Sequence, residues 1–359
     1  MFANYRSGSS TYTIDSYVYW NTPAGFSIAS RTSLSTVGAR AVVAKDLNDD
    51  GYLELLFSNY YNGSSYIVSS YLYWGSAEGY STSRRLDLAG TGALTKAMVA
   101  DLNSDGSPEI LICNYYNGSS YNLNSSLYWG PSYSSDTRTD LATHGCRDAR
   151  TTDFDQDGFK DILTPSYYDG DDSVNSYVYF GSSRGFSSSN RQSLASNRVG
   201  SAAVRDVNGD GYEDVLLGVY YDGDYTTTSV LYYGSGVGFT STDKLSLSGT
   251  YGIWGTAIKD IDQDGYVDLV LASHYDGDYS TSGQIVWNSS RGIAESHRSD
   301  IAMKGAIYSS SSDLDGDGFP EVVMSNHYTG STYVNDSAIL WGGEPWLGDG
   351  DRTLLPTLG

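Results

Sequence analysis

Short runs of β-branched and aromatic residues alternate with turn sequences along the whole chain, and none of them shows a helical period. One stretch holds four such runs, at 41–45, 53–61, 71–74 and 84–88, with an Asn-Gly pair just after the second. Asn-Gly between two β-rich runs is a strong hairpin signal. The pattern therefore predicts four antiparallel strands, named A to D in chain order, joined as a meander.

Strand C ends in large aromatic residues, and this signature returns seven times along the chain. In a row of small sheets such rings fill the wedge between neighbours, so we interpret them as packing residues rather than ligand contacts. The seven copies are Tyr17-Val18-Tyr19-Trp20, Tyr71-Leu72-Tyr73-Trp74, Leu127-Tyr128-Trp129, Tyr177-Val178-Tyr179-Phe180, Leu231-Tyr232-Tyr233, Ile285-Val286-Trp287 and Ile339-Leu340-Trp341.

The four-strand set repeats about every 53 residues without a linker, which is typical of β-propeller blades. Residues 2–5 align with 57–60, so the first unit lacks strand A and the loop that follows it. We therefore predict an all-β, seven-bladed propeller of four-stranded antiparallel blades, the first without its inner strand. A six-bladed ring with an added half-blade is the alternative. The predicted single domain divides into units 1–38, 39–92, 93–145, 146–199, 200–252, 253–305 and 306–359.

Between strands A and B, a nine-residue acidic loop recurs six times at intervals of 52 to 55 residues. Its consensus is Asp-x-Asp/Asn-x-Asp-Gly-x-x-Asp/Glu. Oxygen side chains at positions 1, 3, 5 and 9 and a carbonyl at position 7 can surround a hard cation, while glycine at position 6 permits the sharp turn. One such loop alone is equally well explained as a solvated Asx turn, but six in register indicate metal binding.

Ca²⁺ suits these loops better than Mg²⁺, because Mg²⁺ retains its waters and demands octahedral geometry. We expect about six Ca²⁺ sites. Their predicted ligands are Asp46, Asn48, Asp50, Tyr52 and Glu54; Asp101, Asn103, Asp105, Ser107 and Glu109; Asp153, Asp155, Asp157, Phe159 and Asp161; Asp206, Asn208, Asp210, Tyr212 and Asp214; Asp260, Asp262, Asp264, Tyr266 and Asp268; and Asp313, Asp315, Asp317, Phe319 and Glu321.

The chain has 43 acidic and 21 basic residues, a formal net charge of −22. This balance repels nucleic acids and anionic membrane surfaces, so neither is an expected partner. No apolar stretch is long enough for a membrane span. Without metal, each loop holds three or four carboxylates close together, so calcium is expected to stabilise the fold. Such low-affinity loops suit millimolar extracellular calcium, and the chain lacks a signal peptide, which favours a mature form or a fragment.

The only cysteines, Cys113 and Cys146, lie in strand-like runs at non-equivalent positions of the repeat. On this ground we expect two buried free thiols rather than a disulfide.

The combination of Asp-Leu-Asn-x-Asp-Gly-Tyr loops with Tyr-Trp-Gly-Ser resembles the FG-GAP, or VCBS-type, repeats of integrin α-subunit propellers and their bacterial relatives. The resemblance covers essentially the whole chain. It implies a propeller with calcium held between the first and second strands of a blade, and it assigns the metal to the six loops above. The tyrosine-rich B–C hairpins depart from the integrin pattern, so the resemblance does not identify a ligand.

In a meander, the B–C hairpins lie on the face opposite the A–B loops. Each hairpin pairs two aromatic residues with amides, carboxylates and hydroxyls, a combination suited to sugar recognition. The alternative is that tyrosine is simply a good strand-end residue. His274 and His327 stand where other hairpins have tyrosine. The candidate ligand-binding residues are Tyr60, Tyr61, Tyr115, Tyr116, Tyr167, Tyr168, Tyr220, Tyr221, His274, Tyr275, His327 and Tyr328.

The four histidines and two cysteines form no pattern of a catalytic triad or a zinc site, so we do not expect an enzyme. The preferred interpretation is a calcium-stabilised extracellular recognition or adhesion propeller whose partner is a glycan or an extracellular protein. The alternative is a structural spacer module of a larger cell-surface protein. A hydrolase or lyase is the least favoured class, because no catalytic group can be assembled.

Overall fold

The protein is all-β in this computed structural model, which describes residues 1–8, 10–279, 281–301, 305–326, 336–342 and 352–356. These residues form seven antiparallel sheets that follow one another along the chain as the blades of a β-propeller. Two single-turn 3-10 helices, Ile28–Ser30 and Thr82–Arg84, precede the last strands of the first and second sheets. No helix among the described residues is long and apolar enough to cross a membrane.

Six sheets contain four strands and the first contains two. The first sheet has β1 (Thr13–Tyr19) and β2 (Arg31–Val37), and the second has β3 (Ala39–Lys45), β4 (Glu54–Asn59), β5 (Ser70–Tyr73) and β6 (Arg85–Leu88). The third has β7 (Met98–Ala100), β8 (Glu109–Ile112), β9 (Asn122–Tyr128) and β10 (Thr139–His144). The fourth has β11 (Arg150–Thr152), β12 (Asp161–Thr164), β13 (Ser176–Tyr179) and β14 (Arg191–Leu194).

The remaining three sheets have the same order. The fifth has β15 (Arg198–Arg205), β16 (Asp214–Tyr221), β17 (Thr226–Tyr232) and β18 (Lys244–Tyr251). The sixth has β19 (Ile253–Lys259), β20 (Asp268–Ser273), β21 (Gly283–Val286) and β22 (Arg298–Ile301). The seventh has β23 (Ala306–Ser312), β24 (Glu321–Asn326), β25 (Ser337–Leu340) and β26 (Arg352–Leu355).

Each complete sheet is a simple meander in which strands A to D pair in chain order. This confirms the predicted strand pattern, because the four runs expected between residues 41 and 88 become β3 to β6 with ends shifted by at most two residues. The second strands β4, β8, β12 and β20 are buried along their whole length, and β16 and β24 include some half-buried residues. Central strands packed on both faces require continuous apolar runs, and the sequence supplies them.

The first sheet confirms the missing inner strand but is smaller than expected. Its strand B is reduced to one bridge, in which Phe2 and Tyr17 exchange backbone hydrogen bonds of 2.8 and 3.0 Å. This is the pair expected from the alignment, since Phe57 pairs with Tyr71 in the second sheet. Within the described part of the chain, no strand A pairs with the other side of this segment, and its ladder with β1 is limited to this bridge.

The described residues form six hydrophobic clusters, one between each pair of consecutive sheets. Strand C tyrosines sit in these interfaces, as predicted for packing residues. Their hydroxyl groups also cross to the preceding sheet: Tyr73 donates to Ser35 O, Tyr128 to Ala89 O, Tyr179 to Ala142 O and Tyr232 to Ala195 O, at 2.6 to 2.8 Å. Each of these tyrosines therefore fills the space between two blades with its ring and joins the blades through a hydrogen bond from its hydroxyl group.

Cys113 and Cys146 form a disulfide, so the expectation of free thiols was wrong. Cys113 follows β8 of the third sheet, and Cys146 lies in the link to the fourth sheet. These positions are non-equivalent within one repeat, yet they face each other across the interface between two consecutive repeats. Both residues belong to the buried cluster between the third and fourth sheets.

Candidate metal centres and the tyrosine face

All six acidic loops join strand A to strand B of a complete sheet, as the 46–54 loop joins β3 to β4. Two positions in every loop have left-handed backbone. Position 6 is glycine throughout, with φ between 85° at Gly51 and 99° at Gly318. Position 4 has φ between 56° and 82°, at Asp49, Ser104, Gln156, Gly209, Gln263 and Gly316.

Three hydrogen bonds recur in every loop and hold its side chains in place. In the first loop, Asp46 accepts the Gly51 N–H at 2.9 Å and Asp50 accepts the Tyr52 N–H at 2.8 Å. Glu54, at position 9, accepts the Leu47 N–H at 2.7 Å. The corresponding bonds are present in the other five loops. The loops therefore share one conformation.

The carboxylates at positions 1, 3 and 9 come together in three loops. In each, one oxygen per residue lies within 4.8 Å of the others. The other three loops have asparagine at position 3, whose amide nitrogen donates to the position 5 aspartate, as Asn48 does to Asp50 at 3.1 Å. The three carboxylate clusters are Asp153, Asp155 and Asp161; Asp260, Asp262 and Asp268; and Asp313, Asp315 and Glu321.

Position 9 is the buried end of each loop and has a second structural role that the sequence did not reveal. In five of the six loops its carboxylate bridges the loop to the chain just after strand C of the same sheet, as where Asp268 accepts the N–H groups of Ile261 and Asn288, both at 2.9 Å. In the remaining loop, Oε1 of Glu109 is buried without a hydrogen-bond partner. Burial raises the pKa of Asp268 to about 7. It likewise raises the pKa of Asp161 to about 7 and that of Asp214 to about 6.

The donor set fits a hard divalent cation. Oδ1 of Asp46 and Oδ1 of Asp260, both at position 1, are buried and have no hydrogen-bond partner. A buried carboxylate oxygen without a partner is costly, and a cation at the cluster would satisfy it. The residues that would hold the ion are those at positions 1, 3 and 9. The position 5 carboxylates Asp157, Asp264 and Asp317 are not in the 4.8 Å clusters, and each bonds the position 7 N–H instead.

On the opposite face, the hairpin aromatics predicted as ligand contacts pack mainly on one another. A first row contains Tyr5 and the first aromatic residue of each hairpin. Ring centroids along the row are 5.4 to 6.4 Å apart. The described members of this row are Tyr5, Tyr60, Tyr115, Tyr167, Tyr220 and His274.

A second row alternates the second hairpin aromatics Tyr61, Tyr116, Tyr168, Tyr221 and Tyr275 with a third set of tyrosines. Arg198 fills the one gap, with its guanidinium carbon 4.1 Å from the centre of the Tyr168 ring and 5.0 Å from that of the Tyr221 ring. We name both rows together the tyrosine face. The third set is Tyr12, Tyr66, Tyr121, Tyr225 and Tyr279.

The third set of tyrosines and the arginines that contact the rows were not predicted from the sequence, although the third set is visible there as a repeated motif. Tyr-Tyr-Asn-Gly-Ser-Ser-Tyr occurs at 60–66 and again at 115–121, and Tyr-Asp-Gly-Asp-Tyr occurs at 221–225 and 275–279. The third tyrosine recurs in these motifs in the second, third, fifth and sixth repeats, and Arg198 takes its place beside the hairpin of the fourth. The predicted residues His327 and Tyr328 lie outside the described part of the chain.

Comparison with curated proteins finds integrin α chains. The chain is 28% identical over 158 residues to integrin alpha-5 of Xenopus laevis, a match that covers 37% of this chain and 15% of that protein. It is 26% identical over 161 residues to integrin alpha-7 of Homo sapiens, covering 41% of this chain and 13% of that protein. The matched part is therefore a small fraction of these relatives' length.

Among solved structures, the biofilm matrix protein Bap1 of V. cholerae is similar with a TM-score of 0.47 and 18% identity, covering 76% of this chain and 40% of that one. The Dos1 propeller has a TM-score of 0.49 and 10% identity, covering 85% of this chain and 70% of that one.

The profile of the FG-GAP-like repeat matches residues 46–112, 153–217 and 206–271. Each matched segment begins at position 1 of an acidic loop and ends in a strand B, so the profile covers the predicted repeat and its loop together. The three segments amount to more than half of the chain, which therefore belongs to the FG-GAP-like repeat family.

Proposed function

We propose that this protein is a calcium-stabilised extracellular recognition or adhesion module, built as a single propeller domain. The observation that carries the proposal is the uniform conformation of the six acidic loops, in three of which carboxylates converge at positions 1, 3 and 9. Turn formation alone is a poor explanation for six loops that share one conformation suited to binding a cation. Kinship with integrin α chains supports the extracellular role.

Calcium is proposed at all six loops, including the three with asparagine at position 3. At position 3 an asparagine carbonyl oxygen can coordinate Ca²⁺ in place of a carboxylate oxygen, and the lower charge there reduces affinity rather than abolishing it. Each bound ion would offset the repulsion among the clustered carboxylates. At millimolar calcium and typical extracellular affinities, mass action adds about 0.4 to 1.4 kcal/mol per site.

The experiment is a comparison of melting temperatures in Ca²⁺ and in excess chelator for the wild type and two variants of the sixth sheet. Asp260→Asn removes the position 1 carboxylate and its unpartnered oxygen. Asp276→Asn makes the same charge change in the hairpin of the same sheet, where Asn62 and Asn117 stand in other repeats. Wild type and D276N should lose the same stability on chelation, and D260N should lose less. Equal melting temperatures with and without calcium in the wild type would refute the proposal.

The partner is proposed to contact the tyrosine face, because this face carries the aromatic and hydrogen-bonding groups. A glycan or an extracellular protein is the proposed partner class. The extensive ring packing within the rows shows that these side chains also have a structural role. A screen against glycans and extracellular proteins at millimolar Ca²⁺ tests recognition, and failure to bind either class would favour the spacer-module alternative.

The disulfide between Cys113 and Cys146 supports an oxidising, extracellular setting. Reduced and oxidised protein purified from the native source can be distinguished by thiol labelling, and a fully reduced pair would argue against export.

A further inference from the structure

Arg147 is a buried cation in the link between β10 and β11, on the tyrosine face of the fourth sheet. It is 7% exposed. Its guanidinium carbon lies 4.5 Å from the ring centre of Trp254, 5.3 Å from that of Tyr167 and 5.9 Å from that of Tyr115. Three aromatic rings therefore surround the charge.

No carboxylate forms an ion pair with this guanidinium within the described part of the chain. The ion pairs found there involve Arg85, Arg138, Arg150 and Arg198, and the neighbouring carboxylate Asp148 is paired with Arg150. Nε of Arg147 is buried without a hydrogen-bond partner. A buried guanidinium N–H without a partner is costly, and contacts with rings offset only about 0.5 to 2 kcal/mol each.

A second unpartnered donor lies beside it. Nε1 of Trp254 is buried without a hydrogen-bond partner, and the Trp254 ring stacks on His274 with centroids 4.5 Å apart and planes at 8°. An indole N–H and a guanidinium can only donate hydrogen bonds. Two buried donors at one place call for an acceptor, and an anionic acceptor would also neutralise the arginine.

The backbone is built to bring these two residues together. Arg40, Gly200 and Trp254 are the bulged residues near the starts of β3, β15 and β19, and Arg147 has the same place in the fourth repeat. A Cβ on Gly200 would lie 2.0 Å from Ile253 O and 2.9 Å from Cδ1 of Trp254. The missing side chain in the fifth sheet thus lets residues of the fourth and sixth sheets meet.

We propose that Arg147 and Trp254 form an anion site that takes a carboxylate group of the ligand. The proposal rests on the recognition role proposed for the tyrosine face and specifies the chemistry recognised there. A guanidinium matches a carboxylate in geometry as well as charge, and the surrounding rings exclude water, which strengthens charge-assisted hydrogen bonds. The net charge of −22 does not attract anions at long range, so selectivity comes from the buried donors.

The test is a titration of the calcium-saturated full chain at constant ionic strength, followed by calorimetry and by the indole N–H signals of ¹⁵N-labelled tryptophan. The probes are sodium glucuronate and N-acetylaspartyl amide, with methyl glucoside as the neutral counterpart of the sugar acid. We expect one-to-one, saturable binding of a carboxylate probe with a shift of the Trp254 signal. Binding of glucuronate alone supports an acidic glycan as the source of the carboxylate, and binding of the aspartyl probe supports a protein source.

Three variants identify the donors. Arg147→Gln should weaken binding at least about tenfold, because a charge-assisted hydrogen bond is lost. Trp254→Phe keeps a ring and removes the donor, and should weaken binding about threefold or more. Arg40→Gln is the matched control, because Arg40 has the same repeat position and contacts the Tyr5 ring at 4.0 Å but is exposed. Its affinity should stay within about twofold of the wild type.

Failure of both carboxylate probes to saturate the wild type overturns the inference, as does equal binding of methyl glucoside or unchanged affinity in R147Q. The wild-type titration decides the question even if a variant does not fold. Bound calcium is counted in the same samples, and the loops lie on the opposite face. If the protein binds calcium but no anion, this inference alone is refuted. If it binds no calcium, the proposed function is refuted.

Discussion

The strand C tyrosines show how one residue serves two physical requirements. Their rings fill the wedge between blades, which the aromatic repeat in the sequence predicted. The hydrogen bond from each hydroxyl to the preceding sheet was not predicted, because the acceptor is a backbone carbonyl 37 to 39 residues away. No local pattern marks an ordinary carbonyl as an acceptor.

Tyr128→Phe should lower the free energy of unfolding by about 1 to 2 kcal/mol, because the partly buried hydrogen bond to Ala89 O is lost. Tyr19→Phe is the control, since Tyr19 has the same repeat position in the first sheet and its hydroxyl makes no hydrogen bond to another sheet among the described residues. It should change stability by less than about 0.5 kcal/mol. Denaturant unfolding in calcium measures both, and equal effects would show that the contact between blades contributes nothing.

Two residues of the second acidic loop, Ser104 and Gly106, should respond oppositely to substitution. Ser104 is strained at φ 59°, and glycine already fills its position in two loops, so Ser104→Gly should stabilise by about 0.5 to 1 kcal/mol. Gly106 has φ 89° and open space where a Cβ would stand, so Gly106→Ala should destabilise by about 1 to 2 kcal/mol through backbone strain alone. Thermal unfolding at saturating calcium tests both, and the same sign for the two changes would contradict this account.

At the scale of the element, the acidic loop was predictable because its ligands and its turn lie within nine consecutive residues. The anchoring of its ninth residue was not, since that depends on the pairing of strands B and C. Links between loops were missed for the same reason. Gln156 donates to Gly211 O of the next loop at 2.6 Å, and Gln263 makes the corresponding contact with Gly318 O.

The buried carboxylates make the stability of the chelated protein dependent on pH. Burial raises the folded-state pKa of Asp161 and Asp268 to about 7 and that of Asp214 to about 6, whereas an unfolded aspartate titrates near about 4. At a pH between the unfolded-state pKa and the folded-state pKa values, the folded state binds more protons than the unfolded state. The free energy of unfolding therefore falls as the pH rises.

In excess chelator, the melting temperature should therefore fall between pH 5 and pH 8. In saturating calcium the fall should be smaller, because the cation stabilises the ionised carboxylates. Scanning calorimetry at matched ionic strength makes the comparison. A chelated protein whose melting temperature rises or stays level over this window would show that these carboxylates are not held in the buried environment described.

At the scale of the whole molecule, repetition made the fold predictable, since one interpreted repeat gave the strands of all the others. Contacts between repeats could not be predicted from the sequence, because the pattern within one repeat does not show which residues face each other across an interface. Cys113 meets Cys146 only because consecutive blades pack face to face. Arg147 meets Trp254 only because Gly200 leaves space between them. The position of a residue within its repeat therefore does not reveal which residues of a neighbouring repeat it contacts across the interface.

Calcium bound in the six acidic loops of the folded propeller is the core of the proposed function. Native mass spectrometry of the intact chain in millimolar Ca²⁺ counts the bound ions directly. We expect a stoichiometry near six, falling by one in D260N and unchanged in D276N. A folded, monodisperse protein that carries no calcium under these conditions would contradict it.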